Sequence, residues 1–199
     1  MLLTGGLSRR MGSPKAALRF EGESLARRTA RLLESATCPT VELGPGFSRL
    51  RRVPDPEPGQ GPLAALAGGV EDLEAHGWRG PVVVVATDMP FVSGRLIAWL
   101  AEYPGCGSVV PTDGGRPQTL CARYGWADLE VAIALSRRGK RAMRDLLEGI
   151  EPVYPGPEEW MPAAGDPRVL TDVDTRDELE AAWAEAARRA SMRTTDIPI

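Results

Sequence analysis

Histidine is almost absent from this chain, and cysteine is scarce: His76, Cys38, Cys106 and Cys121 are all there is in 199 residues. A Ser-His-Asp mechanism would have to rest on His76 alone. That residue closes the helical pattern "LAALAGGVEDLEAHGW", where an imidazole suits the negative end of the helix dipole, so we read it as structural. The cysteines form no CxxC pair. Neither a disulfide framework nor a zinc site is expected, only small buried thiols in a reduced, cytoplasmic protein. No apolar run approaches the ~18 residues of a membrane span, and "MLLT" is too short for the core of a signal peptide. A large charge of one sign is missing as well. With 24 basic and 27 acidic side chains the net charge is −3, which argues against nucleic-acid binding as the main function. Chemistry must then fall to carboxylates, lysine, arginine and a metal.

What is present is an ordinary globular composition, 43% hydrophobic and 26% charged, on a chain long enough for one domain with its own core. Strand candidates are "MLLT", "TVELG" (40–44), "PVVVVAT" (81–87), "GSVVP" (107–111) and "TLCARY" (119–124). Helical patterns fall at 24–36, 62–76, 93–102, 126–137 and 140–148. A last helix starts at Thr175, where Glu178 three residues on completes a capping box. The run Val82–Val85 is continuous and β-branched, the pattern of a central parallel strand buried on both faces. This alternation predicts an α/β fold: three layers, Rossmann-like, a mostly parallel central sheet with helices on both faces. Residues 1–190 read as a single domain and 191–199, "SMRTTDIPI", as a flexible tail. Stretches 53–62 and 152–167 read as loops. Trp99, Trp126 and Trp183 fall in helical patterns and read as packing residues.

Open α/β sheets bind ligands at the carboxyl ends of their strands, and the first such end carries "GGLSRRMGSPKA". Gly5 and Gly6 let a ligand approach the main chain. Their amides, with that of Leu7, suit an anion nest. Ser8 adds a hydroxyl, and Arg10 and Lys15 add fixed positive charge, so the loop suits phosphate. It is neither a Walker A loop nor GxGxxG.

The stretch resembles the G-G-x-S-x-R-M-G-x-x-K-A signature of the molybdenum cofactor guanylyltransferases, part of a wider nucleotidyltransferase superfamily. That resemblance implies transfer of GMP from GTP to the phosphate of molybdenum-molybdopterin, giving molybdopterin guanine dinucleotide and pyrophosphate. It implies Mg2+ as cofactor, and cofactor-biosynthesis proteins or molybdoenzyme chaperones as partners, with no nucleic acid and no membrane. It implies nucleotide contacts from Leu3, Thr4, Gly5, Gly6, Lys15, Asp55 and Asp88, with Lys15, Arg10 and Asp88 catalytic. "TGG" at Thr4–Gly6 favours guanine; the cytidylyl-transferring relatives usually have Ala-Gly there. Members of the family carry several residues before this strand, so we expect a truncated chain or a start placed too late.

The other strand ends agree. Asp88 in "TDMPFV" stands at the sheet edge, where a carboxylate suits Mg2+. Ser93 already serves to cap the next helix. By resemblance Asp88 is the family's metal-binding Asp-x-Pro, and Asp55 in "VPDPEPGQGPLAAL" meets GTP. In "LTDVDTRDEL" Asp172 and Asp174 alternate, so they share a side if the segment is extended. The segment resembles the family's N-x-N-T-P-E-D/E-L with both asparagines replaced. Asp174 as a second metal ligand and plain helix capping are its two readings, and Asp172 is assigned toward the acceptor. "GGRPQTLCARY" resembles the acceptor-lining segment, with Arg116 and Gln118 facing the acceptor. "ELGPG" lacks the asparagine common at that strand end, so contact to the base there would be through backbone. The basic run 136–147 reads either as a solvated helix face or as a rim guiding anionic substrates. Two other readings remain: a cytidylyltransferase for molybdopterin or an enzyme for another small phosphorylated acceptor, and a silent nucleotide-binding module.

Overall fold

The structure is a computed structural model and describes residues 1–5, 15–20, 22–54, 59–173, 175, 177–178, 180–181 and 183–184. Its centre is a five-stranded sheet. In chain order the strands are β1 (Leu2–Leu3), β2 (Arg19–Phe20), β3 (Glu23–Ser24), β4 (Val41–Leu43), β5 (Arg51–Val53), β6 (Val82–Ala86), β7 (Thr112–Asp113), β8 (Arg116–Pro117) and β9 (Cys121–Tyr124). The sheet order is β5-β4-β1-β6-β9, while β2-β3 and β7-β8 are separate hairpins. Neighbours in the sheet are parallel except β9, which runs antiparallel to β6 with Val85 opposite Cys121.

Every residue of β6 is buried, and the two faces of the strand explain why. Val82 and Val84 join one apolar cluster, and Val83 and Val85 join another. The first cluster packs against α2 (Pro62–Ala75), α4 (Trp126–Arg137) and α5 (Met143–Leu147). The second packs against α1 (Leu25–Glu34), α3 (Gly94–Glu102) and α6 (Pro157–Ala164). Side chains alternate across a strand, so a continuous apolar run feeds both layers at once. The expected three-layer α/β architecture is thus present.

The caps follow the sequence. Ser93 accepts from the Leu96 amide and starts α3. His76 closes α2, its Nδ1 2.7 Å from the Asp72 carbonyl. Thr175 and Glu178 exchange the two bonds of a capping box, at 3.1 and 3.2 Å. Trp99 and Trp126 pack against the core, and Trp183 packs beside Leu25 and Val173.

Several expectations need correction. "GSVVP" forms no named strand: Val109 makes only isolated bridges, to Arg123 and Val153. The stretch 152–167 is not all loop, because it contains α6, whose Trp160 is fully buried. β5 and the two hairpins were not foreseen. Cys121 is buried but Cys38 and Cys106 are exposed, because both lie in connecting segments and outside the strands. The 191–199 tail lies outside the described residues. Among the described residues no helix is long and apolar enough to cross a membrane.

Candidate functional site at the carboxyl edge of the sheet

The strand order reverses at β1, which has β4 on one side and β6 on the other. Leu3 is in register with Leu43 and with Ala86. The three strands therefore end level, and Thr4–Gly5, Gly44 and Thr87–Asp88 emerge side by side. The Thr4 amide donates to the Leu43 carbonyl at 3.0 Å and the Thr87 amide to the Leu3 carbonyl at 3.2 Å. Such a switch point is where open α/β sheets bind ligands.

Thr4 is buried, and its hydroxyl donates to Glu42 at 2.6 Å, so the main chain is what it can present to a ligand. Gly5 is exposed. Its φ lies outside the left-handed region, and a Cβ built there meets no described atom within 4 Å. The described chain itself makes no demand for glycine at this position. Open space over the main chain is what a closely approaching ligand needs.

Asp88 follows β6, and contacts from Val173, Arg168 and Arg28 hold its loop, Arg28 donating to the Val92 carbonyl at 2.9 Å. The Asp88 carbonyl accepts the Val173 amide at 2.8 Å, which brings the segment of Asp172 alongside. Three residues on, Phe91 carries the Arg168 guanidinium over its ring at 4.2 Å, and Arg168 also donates to Asp166 at 2.7 Å. Asp88 Oδ1 is shielded from solvent. Burial, with a smaller contribution from the Asp88 charge, pushes the Cys121 thiol on the next strand up to about 12. A divalent hard cation takes oxygen donors and often only one or two carboxylates from the protein, with substrate phosphates completing the shell. The carboxylate of Asp88, at the sheet edge where Gly5 leaves the main chain open, fits that requirement. Among the described residues no group of three or more His, Cys, Asp or Glu converges.

The reversed direction of β9 decides where the expected acceptor residues lie. Because β9 is antiparallel, its start meets the end of β6: the Ala86 amide donates to the Leu120 carbonyl at 2.8 Å. Gln118 thus stands near the edge that carries Asp88, its amide bonded to the Pro111 carbonyl at 2.8 Å. Tyr124 steadies this corner by donating to the Thr119 carbonyl at 2.8 Å. Arg116 is exposed on the β7-β8 hairpin, whose Thr112 carbonyl accepts from Trp160 Nε1 at 3.0 Å.

Lys15 opens a short 3-10 turn, Lys15–Ala17, between β1 and β2, and its side chain lies outside the described residues. So do Gly6, Leu7, Ser8, Arg10, Asp55 and Asp174. The structure therefore brings together Leu3, Thr4, Gly5, Asp88, Asp172 and Gln118. The basic run divides. Arg137 pairs with Glu71 and Lys140 with Asp145 at the surface, while Arg141 bonds Gln60 and its carbonyl accepts the Leu63 amide at the start of α2.

Sequence reasoning missed Glu42. It is fully buried in β4, and its carboxylate accepts from Thr4, from the Phe47 and Ser48 amides and from the Ser48 hydroxyl. Burial raises its pKa, but the bonds from Ser48, Thr4 and the two amides together hold it below its ordinary value. The available signal was an acidic residue between Val41 and Leu43 in a strand otherwise apolar.

The comparisons with known proteins agree with this geometry. A protein of Chloroflexus aggregans named "probable molybdenum cofactor guanylyltransferase" is 29% identical over 196 residues, 92% of each chain. One of the same name from Opitutus terrae is 36% identical over 155 residues, 72% of this chain and 74% of that one. The fold matches a crystal structure of molybdopterin-guanine dinucleotide biosynthesis protein A from Archaeoglobus fulgidus with a TM-score of 0.75 at 22% identity, covering 94% of this chain and 97% of that one. It also matches a 2-C-methyl-D-erythritol 4-phosphate cytidylyltransferase from Thermus thermophilus with a TM-score of 0.61 at 18% identity, covering 94% and 97%. Residues 1–153 match the family model of the MobA-like NTP transferase domain, and the chain belongs to that nucleotidyltransferase family.

Proposed function

We propose that this nucleotidyltransferase moves GMP from GTP to the phosphate of a molybdopterin-type acceptor, releasing pyrophosphate. The observation that carries the reading is the meeting of Gly5, Asp88, Asp172 and Gln118 at one sheet edge, on a chain whose relatives bear the guanylyltransferase name. Both reactants are polyanions, so the site must hold them together and offset their repulsion. Exposed Gly5 leaves room for the triphosphate against main chain, and Lys15 and Arg10 supply positive charge toward the departing pyrophosphate. Arg116 and Gln118 address the acceptor phosphate, whose oxygen attacks the α-phosphorus in line. A phosphate monoester is already ionised near neutral pH, so no general base is required of the protein. Asp88, with Asp174 as a second candidate, would hold Mg2+, which when bound offsets charge on the phosphate oxygens. Positioning and electrostatics carry most of the acceleration in such transfers. The three unpaired cysteines support a reduced, cytoplasmic setting.

The test is magnesium-dependent pyrophosphate release with molybdenum-loaded molybdopterin and each of GTP, CTP, ATP and UTP. Turnover with GTP, abolished in Asp88→Ala, is expected. Preference for CTP would overturn the guanylyl reading and favour the cytidylyl one. Binding of nucleotide with no pyrophosphate from any acceptor would favour the silent module.

A further inference from the structure

We propose that Glu42 is a positioning residue for nucleotide binding: its buried carboxylate ties the end of β1 to the turn that follows β4. The inference rests on the nucleotidyl-transfer reading of this edge. Glu42 lies in register with Leu2, whose side chain belongs to the apolar cluster shared with Val83 and Val85. A carboxylate on that face is costly unless it is fully bonded. It is satisfied from two directions. Thr4 donates at 2.6 Å from the strand that leads into the glycine-rich loop. The Phe47 amide donates at 2.6 Å, the Ser48 amide at 2.8 Å and the Ser48 hydroxyl at 2.5 Å from the turn.

An apolar residue would fill this place at lower cost in desolvation, but it could not hold both segments. The two are already pressed together, since a Cβ on Gly44 would stand 2.7 Å from Thr4 Oγ1 and 2.8 Å from the Gly5 amide nitrogen. Arg52 reinforces the turn from the next strand, its Nε donating to the Gly44 carbonyl at 2.9 Å. Glu42 thus touches no ligand. It sets where the main chain at Gly5 stands relative to Gly44, before any ligand arrives.

Each carboxylate oxygen accepts from one backbone N–H, Oε1 from Phe47 and Oε2 from Ser48, so Glu42→Gln keeps the shape but turns its amide NH2 toward one of those N–H groups. The test measures the dissociation constant and KM for the Mg2+ complex of whichever nucleotide the wild-type protein binds tightest, together with kcat for pyrophosphate release. In Glu42→Gln we expect affinity to fall ~10-fold, the equivalent of one lost preorganised contact, while kcat at saturation stays within ~3-fold. Val84→Ala, a core truncation in β6, is the control: it lowers Tm and leaves affinity unchanged. Ser48→Ala removes one donor and keeps the charge, so it decides the matter if Glu42→Gln does not fold, with affinity expected to fall ~3-fold. Affinity within twofold of wild type in the folded variant would overturn the proposal. So would an equal loss in Val84→Ala. A wild-type preference for a nucleotide other than GTP would overturn the guanylyl reading and leave this test standing; no binding of any nucleotide would overturn both.

Discussion

Gly5 and Gly44 stand on adjacent strand ends, and alanine at each should do opposite things. At Gly5 the backbone is outside the left-handed region and the new methyl group meets no described atom within 4 Å. Replacing such a glycine reduces the freedom of the unfolded chain, so Gly5→Ala should change stability by between zero and about +1 kcal/mol. At Gly44 φ is +133°, and the methyl carbon would sit 2.7 Å from Thr4 Oγ1 and 2.8 Å from a backbone nitrogen. The backbone conformation alone costs on the order of 1–3 kcal/mol for alanine, and pressing a methyl into packed structure adds about 1–3 kcal/mol. Gly44→Ala should therefore lose roughly 2–6 kcal/mol, a large share of the 5–15 kcal/mol that holds a typical domain. Urea unfolding with unchanged m-values reads both numbers. Binding of GTP supplies the second half of the test, since Gly5→Ala fills the space proposed for the ligand and should weaken it ~10-fold or more. A Gly5→Ala protein that binds GTP as wild type does would show that no ligand uses that space, and one that unfolds as easily as Gly44→Ala would show that the methyl group is not accommodated there.

Three further outcomes are expected. Lys15→Ala should lower turnover by on the order of 10²–10³ without loss of fold, by analogy with removing one preorganised donor; unchanged turnover in steady-state assays would remove Lys15 from the mechanism. A thiol reagent should titrate Cys38 and Cys106 in the native protein and Cys121 only after unfolding, since the first two are exposed and the third is buried and pushed up to about 12. Glu42 has its pKa held down in the folded state, so it adds stability above its ordinary value of 4.5 that is lost as pH falls through the lower folded value. In Glu42→Gln the decline of unfolding free energy below pH 4.5 should accordingly be shallower, by at most about 1.4 kcal/mol per pH unit for one proton.

How far the sequence revealed these features depended on how local each signal was. The four valines of β6 were legible because a run buried on both faces leaves no polar gap. The edge strand β5, "RRV", was not, since two of its three residues face solvent and their arginines carry no strand pattern. α6 was hidden by its prolines. Pro157 sits at the first turn, where the missing N–H costs nothing, and Gly165 ends the helix at φ +78°. That pair is a helix signature, but Pro162 inside the helix lacks an N–H and obscures it. The place of Asp88 at the sheet edge was legible because the buried strand two residues before it was. Glu42 was not, since an acidic residue between two apolar ones reads as the solvent side of an alternating strand. Only the tertiary contacts from Thr4 and Ser48 show that its face is covered. The antiparallel turn of β9, which brings Gln118 to the edge of Asp88, is likewise set by long-range pairing.

The fate of the α-phosphorus decides whether this chain transfers GMP. GTP labelled there is incubated with Mg2+, the protein and molybdenum-loaded molybdopterin, and the products are separated. Label is expected in a pterin guanine dinucleotide and not in pyrophosphate, with both products lost in Asp88→Ala. Label that stays in GTP or appears as free GMP, while labelled CTP gives a dinucleotide, would contradict the guanylyl reading.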